Sequence, residues 1–192
     1  MHLYRGDESP EERLATAMRT AEAASRAPGV VALAGACGRA ARRRAVAGVY
    51  ALDLAYLDAC MEAVQSLPTI PDAPGVDGLR EPEETIRDGG DCEDKSALLA
   101  ALVLCGRELL ARAVAVGLVW VLQPGWPDDH FSAWVSSGDD APSRVTRVRV
   151  IDQTTEPPRG VWWAETTVRA ARGESPRAAV RRIGGGHGGI SA

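Results

Sequence analysis

The chain has 192 residues, 45% hydrophobic and 25% charged, with a formal net charge of −4, which is mass enough for one domain with a real core and an ordinary composition for a soluble globular protein. The acidic balance supplies no field that would draw the protein to nucleic acid, and no stretch is long and apolar enough to span a bilayer. The first residues, Met1-His2-Leu3-Tyr4-Arg5-Gly6-Asp7-Glu8, lack the apolar centre of a signal peptide, so the expected setting is the cytoplasm, with neither membrane nor nucleic acid as partner.

The four cysteines (Cys37, Cys60, Cys92, Cys105) include no CxxC pair, and the three histidines (His2, His130, His187) lie far from them. This spacing argues against a finger-type zinc site and against a disulfide framework. No cofactor and no metal are expected. Cys37, Cys60 and Cys105 stand among Ala, Leu and Val and read as small buried hydrophobes. Cys92 stands among Asp and Glu and does not.

A helix is expected from about Ser9 to Arg26: Ser9 suits the N-cap, Pro10 the first helical position, and Glu11 and Glu12 the positive end of the dipole. Leu14, Ala17, Met18, Ala21 and Ala24 recur on one face, and Pro28-Gly29 ends the helix. A second helical region runs from roughly Val30 to Leu67, broken near Gly35 to Gly38 and again near Gly48, with Leu54, Leu57, Met61 and Val64 on one stripe. Arg42-Arg43-Arg44 reads as a solvated helix face, since no aromatics are interleaved with it. From Pro68 to Asp88 four prolines and several acids predict a long irregular segment that could form one wall of a groove.

Gly89-Gly90-Asp91-Cys92 then leads into a helix from Cys92 to about Leu104, stopped by Gly106 as a C′ residue. Its near-continuous apolar content marks it as central and buried. Strands are expected at about Ala111 to Leu122, His130 to Val135 and Arg144 to Asp152, the last with clean alternation. Val161-Trp162-Trp163 closes the core. Residues from about Ala164 to Ile183 are read as short helices, and 184–189 as a flexible tail. The class is α+β: N-terminal helices and a central cysteine-bearing helix packed on a small antiparallel sheet. The divisions are 1–67 helical, 68–163 core and 164–192 an Arg/Gly-rich, partly disordered tail.

A thiol at a helix N-terminus meets the positive end of the dipole, which favours thiolate. Glu93 and Asp94 oppose this, since adjacent carboxylates disfavour another anion. Cys92 therefore needs an imidazolium partner to act as a nucleophile, and His130 is the candidate. Asp152 falls at the end of the next strand, on its apolar face by parity, where a carboxylate calls for a hydrogen-bond donor such as an imidazole N–H. Lys95 is read as neutralising the acids of the first turn, and Asp94 as structural. The tryptophans read mainly as core, and Trp126, in a loop beside His130, could stack on a substrate.

Gly90-Asp91-Cys92-Glu93-Asp94-Lys95 entering an Ala/Leu helix, His130 leading a strand with Ala133-Trp134-Val135, and Ile151-Asp152-Gln153-Thr154 together resemble the transglutaminase-like superfamily over roughly residues 88 to 155. The helical lead-in is similar, more loosely, to transglutaminase-like proteins of Mu-like phages and prophages. The resemblance implies a papain-like core with Cys92 as nucleophile, His130 as general base and acid, and Asp152 as the orienting carboxylate. It implies a protein or peptide substrate and a thioester intermediate, with hydrolysis favoured over transamidation. The chain departs from the family pattern where Phe131-Ser132 intervene between the histidine and Ala133, and where Gln153 replaces a proline. The alternative is a catalytically inactive binding or phage-structural module on the same fold.

Overall fold

The computed structural model describes residues 1–4, 8–46, 52–106, 109, 114–122, 130–137, 161–164 and 177–183. Among the described residues, five helices and six strands follow in chain order: β1 (His2–Leu3), α1 (Pro10–Ala24), α2 (Pro28–Val46), α3 (Leu52–Gln65), β2 (Gly78–Leu79), α4 (Pro82–Asp88), α5 (Cys92–Cys105), β3 (Val114–Leu122), β4 (His130–Ser137), β5 (Val161–Ala164) and β6 (Arg177–Ile183). No helix among the described residues is long and apolar enough to cross a membrane.

The helix starts follow local chemistry. Ser9 caps α1 in a full capping box, its side chain accepting from the Glu12 N–H while Glu12 accepts from the Ser9 N–H, with Pro10 in the first turn. Pro28 opens α2 rather than merely closing α1, because a fixed φ and a missing N–H cost nothing in a first turn. The expected break at Gly35 to Gly38 does not occur; α2 runs straight through both glycines. A Cβ at Gly38 would lie 2.8 Å from Leu109 Cδ1, so this glycine serves close packing. The stretch expected to be irregular from Pro68 to Asp88 contains β2 and α4. Helix α4 starts on a reciprocal cap between Glu81 and Glu84 with Pro82 at its head.

Helix α5 is central. Its residues Ala97 to Leu102 are all fully buried, among Leu14, Ala17 and Ala21 of α1, Val30, Ala34, Cys37 and Ala41 of α2, and Ala55, Tyr56, Cys60 and Val64 of α3. Alanine on the facing stripes lets the helices approach closely, while Leu98, Leu99 and Leu102 each contribute about 1.5–3 kcal/mol through burial. Arg42 and Arg43 are exposed, as a solvated face requires, and Arg44 pairs with Glu62 at 2.6 Å.

Two antiparallel sheets are present among the described residues. The pair β1–β2 sets His2 opposite Leu79 and Leu3 opposite Gly78. The larger sheet has the order β5-β4-β3-β6, and α5 packs against β4 and β3. Leu118 and Ala133 are register partners in it, and both are fully buried. The short helices expected between Ala164 and Ile183 are corrected in part, because Arg177–Ile183 is strand β6, paired along β3 from Ile183↔Val116 to Arg177↔Leu122. A partner edge decides the state of a short Ala/Arg segment carrying Val180 and Ile183, against the helix propensity of its alanines. The strand expected at Arg144 to Asp152 and the tail at 184–189 lie outside the described residues.

Candidate functional site at the start of α5

The glycines before Cys92 are required by their surroundings. Gly89 has φ +92°, a left-handed conformation, and a Cβ there would run into the Pro68 carbonyl. A Cβ at Gly90 would stand 2.5 Å from both Cβ and Oδ2 of Asp94. The chain passes here beside the segment after α3: Gly90 N–H donates to Pro68 O at 3.1 Å and Ile70 N–H to Gly90 O at 3.2 Å, forming an isolated parallel bridge between Thr69 and Gly90.

Asp91 is the N-cap of α5. Its Oδ1 accepts from the N–H of Glu93 at 3.1 Å and of Asp94 at 3.4 Å, and Asp94 Oδ2 accepts from the Asp91 N–H at 3.2 Å. Cys92 is therefore the first residue of the helix, with a half-buried side chain. The position is the one expected from the sequence.

Asp94 is fully buried and structural, as expected. It accepts from the Arg80 N–H at 2.6 Å and from Arg80 Nη1 at 2.5 Å, and Arg80 Nη2 reaches Asp72 Oδ1 at 3.2 Å. Asp72 in turn accepts from the Gly78 N–H at 2.7 Å. One carboxylate thus anchors the helix start, the 72–80 loop and, through β2, the β1 strand. Arg80 was invisible to sequence reasoning because it stands alone, 14 residues before its partner, with no spacing to link them.

Lys95 does not neutralise the first-turn acids. Its Nζ donates to Leu67 O at 2.8 Å and to Thr69 Oγ1 at 3.0 Å, and the residue is almost wholly buried. On a helix, the direction of a side chain outweighs its nearness in sequence: Lys95 reaches the Leu67 carbonyl and the Thr69 hydroxyl that follow α3. Burial lowers its pKa.

Glu93 turns toward α1 and the N-terminal strand. Arg13 stacks its guanidinium over the Tyr4 ring at 4.8 Å and pairs with Asp77. Beside them, the Tyr4 hydroxyl and Glu93 Oε2 are buried without a hydrogen-bond partner among the described residues. Burial, then the charges of Asp91 and Asp77, push Glu93 up to about 9. Burial and then Asp94 push Asp91 up to about 7. Asp94 is also raised, by burial that outweighs Arg80.

These shifts change the charge balance around the thiol. The sequence sets three carboxyl groups around Cys92, whereas in the folded protein burial pushes Glu93 up to about 9 and Asp91 up to about 7, and Asp94 pairs with Arg80. The opposition to a thiolate is weaker than the bare sequence implies.

The backbone of His130 begins β4, where its register partner is Val121, three residues before buried Ala133. The strand β5 pairs with Ala133 to Ser136, so among the described residues β3 alone flanks β4 at its His130 end. Because β4 packs on α5, the strand begun by His130 and the helix begun by Cys92 share one interface. Asp152 and Trp126 lie outside the described residues. Among the described residues no group of three or more His, Cys, Asp or Glu could hold a metal ion. A scan against protein-family models and searches of curated proteins and of solved structures returned no match to this chain.

Proposed function

We propose that the chain is a transglutaminase-like cysteine enzyme on a papain-like core, acting on amide or peptide bonds of a protein or peptide substrate. Cys92 attacks the carbonyl carbon. His130 receives the thiol proton and returns it to the leaving amine, and Asp152 orients the imidazole. A thioester forms and water releases the acid. The Cys92 backbone N–H, at the positive end of α5, is the oxyanion donor.

One observation carries this reading: Cys92 is the first residue of a buried central helix and only partly buried, with burial raising Glu93 and Asp91 and with Asp94 paired to Arg80. Structural cysteines are more commonly buried in apolar surroundings. A second reading, a catalytically inactive module of the same type, draws on the fact that Asp91, Asp94 and Lys95 each have a packing role. Those roles explain three motif residues without chemistry, and Cys92 itself packs in part against the core.

The test is alkylation by iodoacetamide across pH, read cysteine by cysteine by mass spectrometry, in wild type and His130→Ala. The expected result is a Cys92 inflection well below the usual thiol value of about 8.5 that rises in the variant. An inflection near the usual value, unmoved by His130→Ala, overturns the enzyme reading.

A further inference from the structure

The segment after α3 carries an open strand edge beside the start of α5. In the parallel bridge between Thr69 and Gly90, both bonds run to the neighbours of Thr69. The Gly90 N–H donates to Pro68 O at 3.1 Å, and the Ile70 N–H donates to Gly90 O at 3.2 Å. Successive residues of an extended chain point their N–H and C=O groups to opposite sides. Thr69 therefore turns both of its backbone groups away from Gly90. Neither makes a hydrogen bond among the described residues, and Thr69 is exposed. The edge is also firmly held. Lys95, the chain's one lysine and 1% exposed, donates to Leu67 O at 2.8 Å and to Thr69 Oγ1 at 3.0 Å. A buried ammonium is costly unless it is bonded, and its hydrogen bonds among the described residues both go to this segment. Arg80 Nη1 donates to Ile70 O at 3.3 Å while the same guanidinium pairs with Asp94. Two cations from different parts of the chain thus fix an exposed segment around a backbone N–H and C=O that the protein leaves unused.

We propose that residues 68–70 are a docking edge for the substrate, where an extended peptide adds as a further strand through the Thr69 N–H and C=O. An N–H and a C=O on the same side of one extended residue are matched in spacing by another extended chain, which identifies the partner as polypeptide backbone. Alternation sets the Thr69 side chain toward Lys95 and the Ile70 side chain on the opposite face, where it is 37% exposed. An apolar side chain of the docked peptide rests there. Docking is therefore tolerant of sequence, with a preference confined to the residue over Ile70. The inference rests on the reading of Cys92 as the reacting thiol. The bridge to Gly90 ties the edge to the chain two residues before Cys92, so a docked peptide is held in a set place relative to the thiol.

The test is the second-order rate of Cys92 alkylation in the native full chain by chloromethyl ketones that share one reactive group. The probes are acetyl-Gly, acetyl-Ala-Gly and acetyl-Leu-Ala-Gly chloromethyl ketone, and the adduct is read by mass spectrometry on the tryptic peptide 88–95. The expected rise from the shortest to the longest probe is about tenfold, the worth of two net backbone hydrogen bonds. Thr69→Pro removes an amide hydrogen that the bridge to Gly90 does not use, and should bring the longest probe to within about twofold of the shortest. Thr69→Val removes the hydroxyl bonded to Lys95 but keeps the N–H, so it should retain the rise and separate docking from a structural role of the side chain. The longest probe N-methylated at both Leu and Ala should lose the rise on wild type, a result that depends on no variant folding. Equal rates for all three probes overturn the proposal, as does a rise that survives N-methylation or Thr69→Pro. The pH profile of Cys92 with iodoacetamide reports on catalysis separately. An ordinary profile with the rise intact removes the enzyme and keeps the edge, and a lowered profile with equal rates does the reverse.

Discussion

The two ends of α5 are held by opposite means. At its start, a charged collar of Asp91, Asp94, Arg80, Asp72 and Lys95 ties the helix to the 67–80 segment through hydrogen bonds whose lengths the structure fixes. At its end, Gly106 has φ −89°, within reach of any residue, so it is not the left-handed stop that the sequence suggests. A glycine is needed there because a Cβ would drive into the Tyr56 ring and hydroxyl. One end is secured by polarity and answers to pH, and the other by shape and does not. The partly buried Cys92 sits at the polar end.

The largest effect is expected from cutting the collar. Asp94→Ala removes the acceptor of the Arg80 and Asp91 N–H groups and leaves the Arg80 guanidinium only Asp72 and the Ile70 carbonyl, and should cost about 3 kcal/mol, read as a loss in denaturant midpoint with unchanged m-value. Arg80 keeps some solvent contact, which holds the cost to the lower end of the range for broken buried pairs. At the opposite end, Gly106→Ala should cost about 2 kcal/mol by overpacking. Combining it with Tyr56→Phe should give no rescue, because ring carbons as well as the hydroxyl occupy the space. A full rescue by Tyr56→Phe would show that the hydroxyl oxygen alone, and not the ring, blocks a side chain at position 106. Asp91→Ala removes a side-chain cap and should cost about 1 kcal/mol.

The response to pH separates the two ends most sharply. Asp91 and Glu93 hold protons in the folded protein up to about pH 7 and about pH 9, where their ordinary values are 3.8 and 4.5. Between those limits the folded state binds more protons than the unfolded chain, so their contribution is full at low pH and is lost as pH rises. The melting temperature of wild type should therefore fall from pH 5 to pH 9, and Glu93→Gln should flatten that slope. The cost of Gly106→Ala should be the same at both pH values. A Glu93→Gln slope equal to that of wild type would remove Glu93 from the pH response.

The start of α5 was legible because its signals are local: Gly-Gly-Asp before a cysteine and an Ala/Leu run specify a cap and a buried helix. The same is true of Ser9 and of the strand beginning at His130. The partners of the first turn were not legible, since Arg80, Tyr4, Arg13 and Leu67 approach from other parts of the chain without a spacing rule. Glycine misled in both directions. Gly38 and Gly106 read as breaks or stops, yet each is small because a side chain passes over it. Glu81-Pro82-Glu83-Glu84 carried a helix-start signal, but the surrounding prolines masked it. For Arg177–Ile183 the missing information was the free edge of β3, which no local window contains.

The bond from Lys95 to Leu67 has a kinetic meaning. The body of α5 can coil on its own residues, but its first turn is fixed only when the end of α3 has arrived and presented a carbonyl to a buried ammonium. The Cys92 end therefore consolidates after the helix pair it rests on, and in unfolding it is among the first parts of α5 to loosen. Amide exchange at Gly90 and Ile70, whose hydrogen bonds close that same junction, should report this early opening well before the amides of Leu98 to Leu102 exchange.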